Sequence, residues 1–141
     1  LPMSDRSFDT VVCTDVLEHL EHTHAVFDEL CRVSRERVII SLPNPLLSLL
    51  LGMLQGSRGR TKYYGLPIDR PADRHRWFFN FDEAAAFVTQ RGARHGFIPE
   101  QIDAENRSAI SWRAHDGLEL LDGSAIRTGT MWAVLRRVEG A

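Results

Sequence analysis

Apolar positions near the start of the chain follow two periods in succession. Residues 8–14 form a short run of β-branched and apolar residues, a pattern typical of a buried parallel strand. Residues 16–20 then place apolar side chains three and four positions apart, which predicts a helix with almost no loop before it. Because open α/β sheets bind ligands at the carboxyl ends of their strands, we expect a small molecule to lie near Cys13, Thr14 and Asp15.

The rest of the pattern predicts an alternation of helices and strands. Periodicity and end signals indicate a helix that reaches residue 34, a strand over 37–42, a helix over 82–91, and strands within 93–103 and 130–138. Asp82 is the expected N-cap of the second helix, and Gly92 is its expected C-terminal stop. Strands that alternate with helices indicate an α/β fold with a mainly parallel sheet.

Residues 45–74 are the most individual part of the sequence. Residues 46–54 are apolar nearly all round a short helix, and glycines and basic residues follow them. We expect a lid helix packed on the core, because a short helix that is apolar on every side is usually buried. The alternatives are an apolar wall of a substrate pocket and a contact with a membrane surface, the latter backed by Arg58, Arg60 and Lys62.

Composition limits the class of protein. The chain has 141 residues, enough for one domain or less, and its net charge of −2 gives no electrostatic reason to expect a nucleic-acid partner. The two cysteines cannot build a disulfide framework, so we expect buried thiols in a reducing, cytoplasmic compartment. We expect no transmembrane segment, because residues 46–54, the longest apolar run, are too short to cross a bilayer.

Two segments resemble a known family. Residues 1–22 contain Leu-Pro, Phe-Asp and Val-Leu-Glu-His in the order found around the fourth strand of class I S-adenosylmethionine-dependent methyltransferases of the type 11-like group. Residues 37–44 resemble the fifth strand of the same family. The resemblance fades after residue 44 and returns around residues 75–96 and 130–138.

The resemblance implies a partial Rossmann-like methyltransferase fold. This chain would supply strands four to seven, in the spatial order fourth, fifth, seventh, sixth, with the last strand antiparallel. The family's glycine-rich loop and ribose-binding acidic residue are not in this sequence, which begins at Leu1. We therefore interpret residues 1–141 as the C-terminal part of a single methyltransferase domain, with a lid or acceptor-side insertion at residues 45–74.

This interpretation has a consequence for the first strand. In a complete sheet the strand over residues 8–14 would pair with the fifth strand on one side and with the first strand on the other. Without the first strand it should lie at an edge, and an apolar β-branched edge is a template for adding another strand. We expect the isolated chain to self-associate through residues 8–14 or to be marginally stable.

The function implied by the resemblance is transfer of a methyl group from S-adenosylmethionine to an unidentified small-molecule, glycan-like or lipid-like acceptor. The implied cofactor-binding residues are Leu1, Cys13, Thr14 and Asp15, with Leu1 near the adenine. His19 and His75 are candidate catalytic residues, and Tyr63, Tyr64 and His75 are candidates for the acceptor side. The chain alone should bind the cofactor poorly and not turn over, because the polar anchors of the missing half fix ligand orientation.

A divalent-cation site is one alternative at the same residues. Asp15, Glu18 and His19 stand at i, i+3 and i+4, so on a helix they would share one face. Together with His75 they would suit Mg²⁺, Mn²⁺ or another borderline cation. Small-RNA ribose methyltransferases that resemble this pattern use Glu, Glu-His and a later His for a divalent ion, and here Asp15 stands in place of the first Glu. Because the family at large carries Glu-His at this point without a metal, we expect none.

Two other classes of protein share the predicted fold. The first is a non-catalytic methyltransferase-like module that acts through binding alone. The second, less favoured, is a dinucleotide-dependent oxidoreductase, for which the sequence offers no Gly-x-Gly-x-x-Gly motif. Residues 73–81, rich in arginine and aromatic side chains, could also serve as a base-stacking surface. Without an excess of positive charge, we expect them to form an edge of the hydrophobic core.

Overall fold

The computed structural model describes residues 1–45, 49, 65, 66, 68–104 and 129–138. The described elements are strand β1 (Phe8–Thr14), a 3-10 turn (Leu17–His19), helix α1 (Thr23–Val33), strand β2 (Ser34–Leu42), helix α2 (Phe81–Ala93), strand β3 (Phe97–Ala104) and strand β4 (Met131–Arg137). The predicted helix over 46–54, apart from residue 49, and most of the predicted insertion at 45–74 lie outside the described residues. Among the described helices, none has both the length and the apolar character that a membrane span requires.

The four strands form one mixed sheet in the order β1-β2-β4-β3. β1 pairs with β2 in parallel, whereas β4 runs antiparallel to both of its neighbours. One of the three pairings is therefore parallel and two are antiparallel. This spatial order is the one that the resemblance implied, and the numbering of these strands as fourth to seventh of a larger sheet stays a prediction.

The first strand lies at an edge of the sheet, as expected. Within the described part of the chain β1 pairs with β2 alone. The side chain of Val12, in the middle of β1, is 60% exposed.

Both helices lie against one face of the sheet. Cys13, Ile40 and Ala133 are aligned across β1, β2 and β4 and are all buried beneath the helices. The next row, Val12, Ile39 and Val134, projects to the opposite face, and none of its members is fully buried. The core therefore fills the space between one sheet face and α1 and α2, and it includes Phe27, Leu30 and Val88 from the helices.

β2 begins at Ser34, three residues earlier than predicted, directly after the last residue of α1. Arg137 explains how the helix can end without a loop. Its Nη2 atom donates to the carbonyl oxygens of Cys31 (2.8 Å) and Ser34 (2.9 Å), and its Nη1 atom donates to that of His95 (3.0 Å). Carbonyls at a helix end need such partners when they are removed from water. The predicted start at residue 37 missed this because the partner comes from β4.

The predicted ends of the second helix also need correction. α2 begins at Phe81, and its N-cap is Asn80 rather than Asp82. The Asn80 side chain accepts a hydrogen bond from the backbone N–H of Glu83 (2.9 Å), and the Glu83 carboxylate accepts one from the Asn80 N–H (2.8 Å). This reciprocal capping box satisfies two N–H groups that the helix itself leaves unpaired.

Gly92 does not stop the helix, contrary to prediction. It is buried within α2, and a Cβ atom there would lie 3.3 Å from Cδ1 of Leu135 on β4. The glycine thus allows the helix to approach the sheet closely. The turn that follows uses Gly96, whose φ of +73° is a conformation that favours glycine.

Both cysteines are buried free thiols, as expected. Burial raises the pKa of Cys31 to about 12, so this thiol stays protonated at neutral pH.

Replacing Asn80 with Ala should destabilise the chain by about 0.5–2 kcal/mol, because the cap acceptor for the Glu83 N–H is lost. Urea unfolding measures this change. Gln90→Ala, an exposed substitution within α2, serves as the matched control. A loss for Asn80→Ala no larger than that for Gln90→Ala would contradict the assigned cap.

Candidate functional site

The carboxyl ends of β1 and β2 are joined through Asp15 and Ser41. The Asp15 N–H donates to Oγ of Ser41 at 3.0 Å, and that hydroxyl donates to Oδ1 of Asp15, also at 3.0 Å. Asp15 adopts a φ of +51°, in the left-handed region that aspartate tolerates better than most residues. This closed pair of hydrogen bonds fixes the backbone where the chain leaves the first strand.

The predicted cofactor-binding residues fall into two places. Thr14 and Asp15 are exposed at the strand end, whereas the Cys13 side chain points into the core. Burial, with a smaller contribution from the charge of Glu18, raises the pKa of the Cys13 thiol, so this thiol stays protonated at neutral pH.

Leu1 is not brought to this end. Its amino group pairs with Glu29 (2.7 Å), and its carbonyl accepts a hydrogen bond from Arg32 (3.2 Å). Both partners lie near the end of α1 that leads into the amino end of β2. Leu1 therefore lies near the amino end of β2, whereas Thr14 and Asp15 lie at the carboxyl end of β1.

The turn after β1 is covered by a distant segment, residues 73–78. The backbone N–H of Arg76 donates to the Glu18 carbonyl at 2.8 Å, and the Trp77 indole donates to the Leu20 carbonyl at 2.7 Å. The guanidinium of Arg76 also donates to the His19 carbonyl at 3.1 Å. These hydrogen bonds place the neighbouring His75 against the turn.

Glu18, His19 and His75 form a cluster in which each side chain offers a ligand-type atom within 4.8 Å of the others. Oε1 of Glu18 lies 3.4 Å from Nε2 of His19, and the two imidazole rings meet edge to face with centroids 4.5 Å apart. Glu18 is 1% exposed and His75 is 2% exposed. Two imidazoles and a carboxylate at this spacing can hold a cation or exchange a proton.

The cluster differs from the set that the sequence suggested. Asp15 is not among its members, because the structure is a 3-10 turn over Leu17–His19 rather than a helix that includes residue 15. Asp73, which sequence spacing did not single out, places Oδ1 3.1 Å from Nδ1 of His19. No local pattern could have revealed Asp73, since 54 positions separate it from His19.

A cavity of about 1000 Å³ opens beside the cluster. His19 and His75 line it together with Arg70, Arg74, Arg76 and Phe78. The cavity therefore meets the turn that follows the carboxyl end of β1, as expected for a ligand pocket in an α/β sheet. Tyr63 and Tyr64, the other predicted acceptor-side residues, lie outside the described residues.

Part of the sequence is similar to a known protein family. The methyltransferase domain family matches residues 1–42, which include β1, the turn, α1 and β2. No curated protein matches the sequence.

Solved structures share the fold at low sequence identity. A magnesium protoporphyrin IX methyltransferase (ChlM) from Synechocystis PCC 6803 with bound SAH aligns with a TM-score of 0.52 at 17% identity, over 97% of this chain and 48% of its own. A small RNA methyltransferase, HEN1, aligns with a TM-score of 0.59 at 16% identity, over 99% of this chain and 15% of its own. An S-adenosylmethionine dependent methyltransferase from Mesorhizobium loti aligns with a TM-score of 0.52 at 15% identity, over 97% of this chain and 65% of its own. This chain thus spans about half or less of the first two.

The left-handed backbone at Asp15 gives a test of the strand-end geometry. Asp15→Gly should leave the chain about 1 kcal/mol more stable than Asp15→Ala, because a Cβ atom is strained at φ +51°. Asp15→Asn, which keeps an acceptor oxygen and tolerates this conformation, is the matched control and should lie closest to the native protein. Denaturant unfolding of all three measures the order, and equal stability of the Gly and Ala variants would contradict the observed backbone.

Proposed function

Because this chain resembles class I S-adenosylmethionine-dependent methyltransferases over residues 1–42 and in its fold, we propose that the protein containing it transfers a methyl group from S-adenosylmethionine. One observation carries the proposal. Thr14 and Asp15 are exposed at the carboxyl edge of the sheet, in the matched segment, with Asp15 locked to Ser41. That edge is where open α/β sheets bind their ligands.

The proposed cofactor contacts come from Thr14, Asp15 and the backbone of Cys13. The Cys13 thiol takes no part, because it lies in the core. We leave Leu1 out of the proposed site, since its contacts with Glu29 and Arg32 hold it at the other end of α1. The bound SAH in the magnesium protoporphyrin IX methyltransferase from Synechocystis PCC 6803 supports the choice of cofactor.

Methyl transfer is a displacement at an activated carbon, so the protein must align the acceptor and, for a weakly acidic acceptor, take its proton. His19 and His75 line the cavity beside the strand end and are the imidazoles available for that proton. The cavity volume of about 1000 Å³ is enough for a small-molecule, glycan-like or lipid-like acceptor.

The proposal assigns activity to a longer protein. The alignments cover 48% of the magnesium protoporphyrin IX methyltransferase, and the sequence contains no glycine-rich loop of the dinucleotide type. The 141 residues would thus form the C-terminal part of one methyltransferase domain, with residues 45–74 as an acceptor-side insertion. The buried free thiols favour a reducing, cytoplasmic compartment.

Thermal shifts with S-adenosylmethionine, S-adenosylhomocysteine and NAD test the cofactor on the 141-residue chain and on a protein that extends it upstream. A ligand that binds the folded state raises the melting temperature, by an amount that grows with the logarithm of its concentration relative to its dissociation constant. We expect S-adenosylmethionine and S-adenosylhomocysteine to raise the melting temperature of the longer protein. The melting temperature of the 141-residue chain should rise only slightly.

Two variants locate the binding edge. Thr14→Trp should abolish the shift in the longer protein by blocking the strand end. Gln90→Trp is the control, because Gln90 is exposed on α2, an element that does not carry the strand end. Stabilisation by NAD alone would favour the oxidoreductase class. Binding of both sulfur ligands without turnover of any acceptor would favour the non-catalytic module.

We also propose that β1 receives a second copy of this chain when the 141 residues are isolated. Both edge strands of the described sheet are open, but β3 contains Pro99 and an irregular register between Pro99 and Gln101. Prolines and bulges protect an edge from pairing, whereas the β-branched centre of β1 offers no such protection.

Val12→Lys should therefore shift the chain toward monomer in sedimentation velocity at rising concentration, because a charge on an edge strand opposes pairing. Ile98→Lys on β3 is the control, since both side chains are largely exposed, at 60% and 43%. A chain that is monomeric at every concentration, or one dissociated equally by both variants, would refute association through β1.

A further inference from the structure

We propose that the cavity beside the strand end binds a ligand that carries an oxyanion, a carboxylate or a phosphate, on an apolar body. Arg70, Arg74 and Arg76 line this cavity together with the ring of Phe78. The inference deepens the proposed function, because it names the chemical class of the methyl acceptor. It rests on that function only in identifying the ligand as the acceptor, since the binding site itself is argued from the cavity wall.

The three arginines come from one short segment. Residues 70–76 read Arg-Pro-Ala-Asp-Arg-His-Arg, and they form neither a helix nor a strand. The backbone N–H of Arg76 donates to the Glu18 carbonyl at 2.8 Å, and its guanidinium donates to the His19 carbonyl at 3.1 Å. These contacts hold the segment against the turn after β1, so Arg76 acts as a positioning residue for the cavity wall.

Positive charge exceeds negative charge on this wall. Three arginines face two carboxylates, those of Glu21 and Asp73. Oε2 of Glu21 lies 3.8 Å from Nη1 of Arg76, and Oδ1 of Asp73 lies 3.1 Å from Nδ1 of His19. Arg70, by contrast, has no hydrogen-bond or ion-pair partner within the described part of the chain. A cleft with such an excess of one charge attracts ligands of the opposite sign.

Arg70 and Arg74 are the proposed contacts of the oxyanion. Nη1 of Arg74 donates to the carbonyl of Gly65 at 3.1 Å, a neutral acceptor that helps to hold this half-buried side chain at the cavity. Arg70 is exposed. The planar guanidinium matches the spacing of two oxygens of a carboxylate or a phosphate, and it binds them through two parallel hydrogen bonds.

Phe78 supplies the apolar part of the wall. Its side chain is 46% exposed and lines the same cavity as the arginines. The cavity volume of about 1000 Å³ is much larger than an oxyanion needs. Ligand sites usually combine an apolar surface with a few charged or polar groups that fix orientation. The cavity therefore suits a small molecule whose oxyanion binds the arginines while an apolar ring packs on Phe78.

Three probes that share a benzene ring test the charge requirement. These are phenyl phosphate, benzoate and the neutral benzyl alcohol, titrated calorimetrically into the 141-residue chain without S-adenosylmethionine. At least one of the two anions should bind with a dissociation constant of about 1 mM or lower, and benzyl alcohol at least about 10-fold more weakly. The tighter anion identifies the preferred oxyanion. Added salt should weaken its binding, because exposed charges are screened.

Variants locate the bound oxyanion. Arg70→Gln should weaken binding of the preferred anion at least about 10-fold, because charge-assisted hydrogen bonds are lost. Arg94→Gln is the matched control, since Arg94 is an exposed arginine after α2, outside the cavity, and its loss changes the net charge equally. It should leave the affinity unchanged. Circular dichroism checks that both variants fold.

Phe78→Ala tests the apolar wall separately. It should weaken binding of the preferred aromatic anion about 2- to 10-fold, because a ring contact is lost. Binding of inorganic phosphate or acetate, which lack the ring, should not change. Arg70-dependent binding to phosphatidylglycerol vesicles, with phosphatidylcholine vesicles as the reference, would place the oxyanion on a lipid headgroup.

Three results would overturn the inference: no binding of either anion, equal binding of benzyl alcohol, or an equal loss in the Arg94 variant. The last would mean that surface charge alone accounts for binding. Failure of the proposed function looks different. Neither S-adenosylmethionine nor S-adenosylhomocysteine would then stabilise the longer protein, while the anions would still bind through Arg70. A longer protein that is stabilised by both, but whose cavity binds no anion, would refute this inference alone.

Discussion

The candidate site depends on a few hydrogen bonds between two segments that are far apart in sequence. Backbone and side-chain donors of Arg76 and Trp77 bind the carbonyls of Glu18, His19 and Leu20, at 2.7–3.1 Å. These carbonyls lie in a turn too short to pair them all internally, so an outside partner satisfies them. The same contacts bring His75 to Glu18 and His19 and form a wall of the cavity. Without them the strand end would have no histidine pair beside it.

A second set of hydrogen bonds joins distant segments at the opposite end of the strands. Arg137 on β4 donates to carbonyls of Cys31, Ser34 and His95, and its guanidinium also lies 4.3 Å from the Phe97 ring centre. Burial lowers the pKa of Arg137, although an arginine remains charged in proteins. One side chain thus closes the end of α1, the turn before β3 and the start of β2.

The proposed cofactor contacts and the cluster of Glu18, His19 and His75 are neighbours with different physical origins. Thr14 and Asp15 are exposed, and their geometry is set by the sheet and by Ser41. Glu18 and His75 are buried, and their geometry is set by the segment over residues 73–78. The strand end and the cluster are therefore positioned by separate parts of the fold, although both lie beside the same cavity.

The amino-acid sequence determined much of this by itself. The extent of β1, the existence of α1, α2 and the later strands, and the buried thiols all followed from local periodicity and composition, because strands and amphipathic helices leave a pattern that repeats over a few residues. The order of the strands, with β1 at an edge, followed from resemblance.

Other features were decided by the tertiary structure. The start of β2 depends on Arg137, and the buried position of Gly92 depends on Leu135. The separation of Asp15 from Glu18 depends on a 3-10 turn where helical spacing predicted a shared face. The place of Asp73 beside His19 depends on a segment 54 residues away. Each of these is set by hydrogen bonds or packing between distant segments, and such contacts leave no periodic trace in the chain.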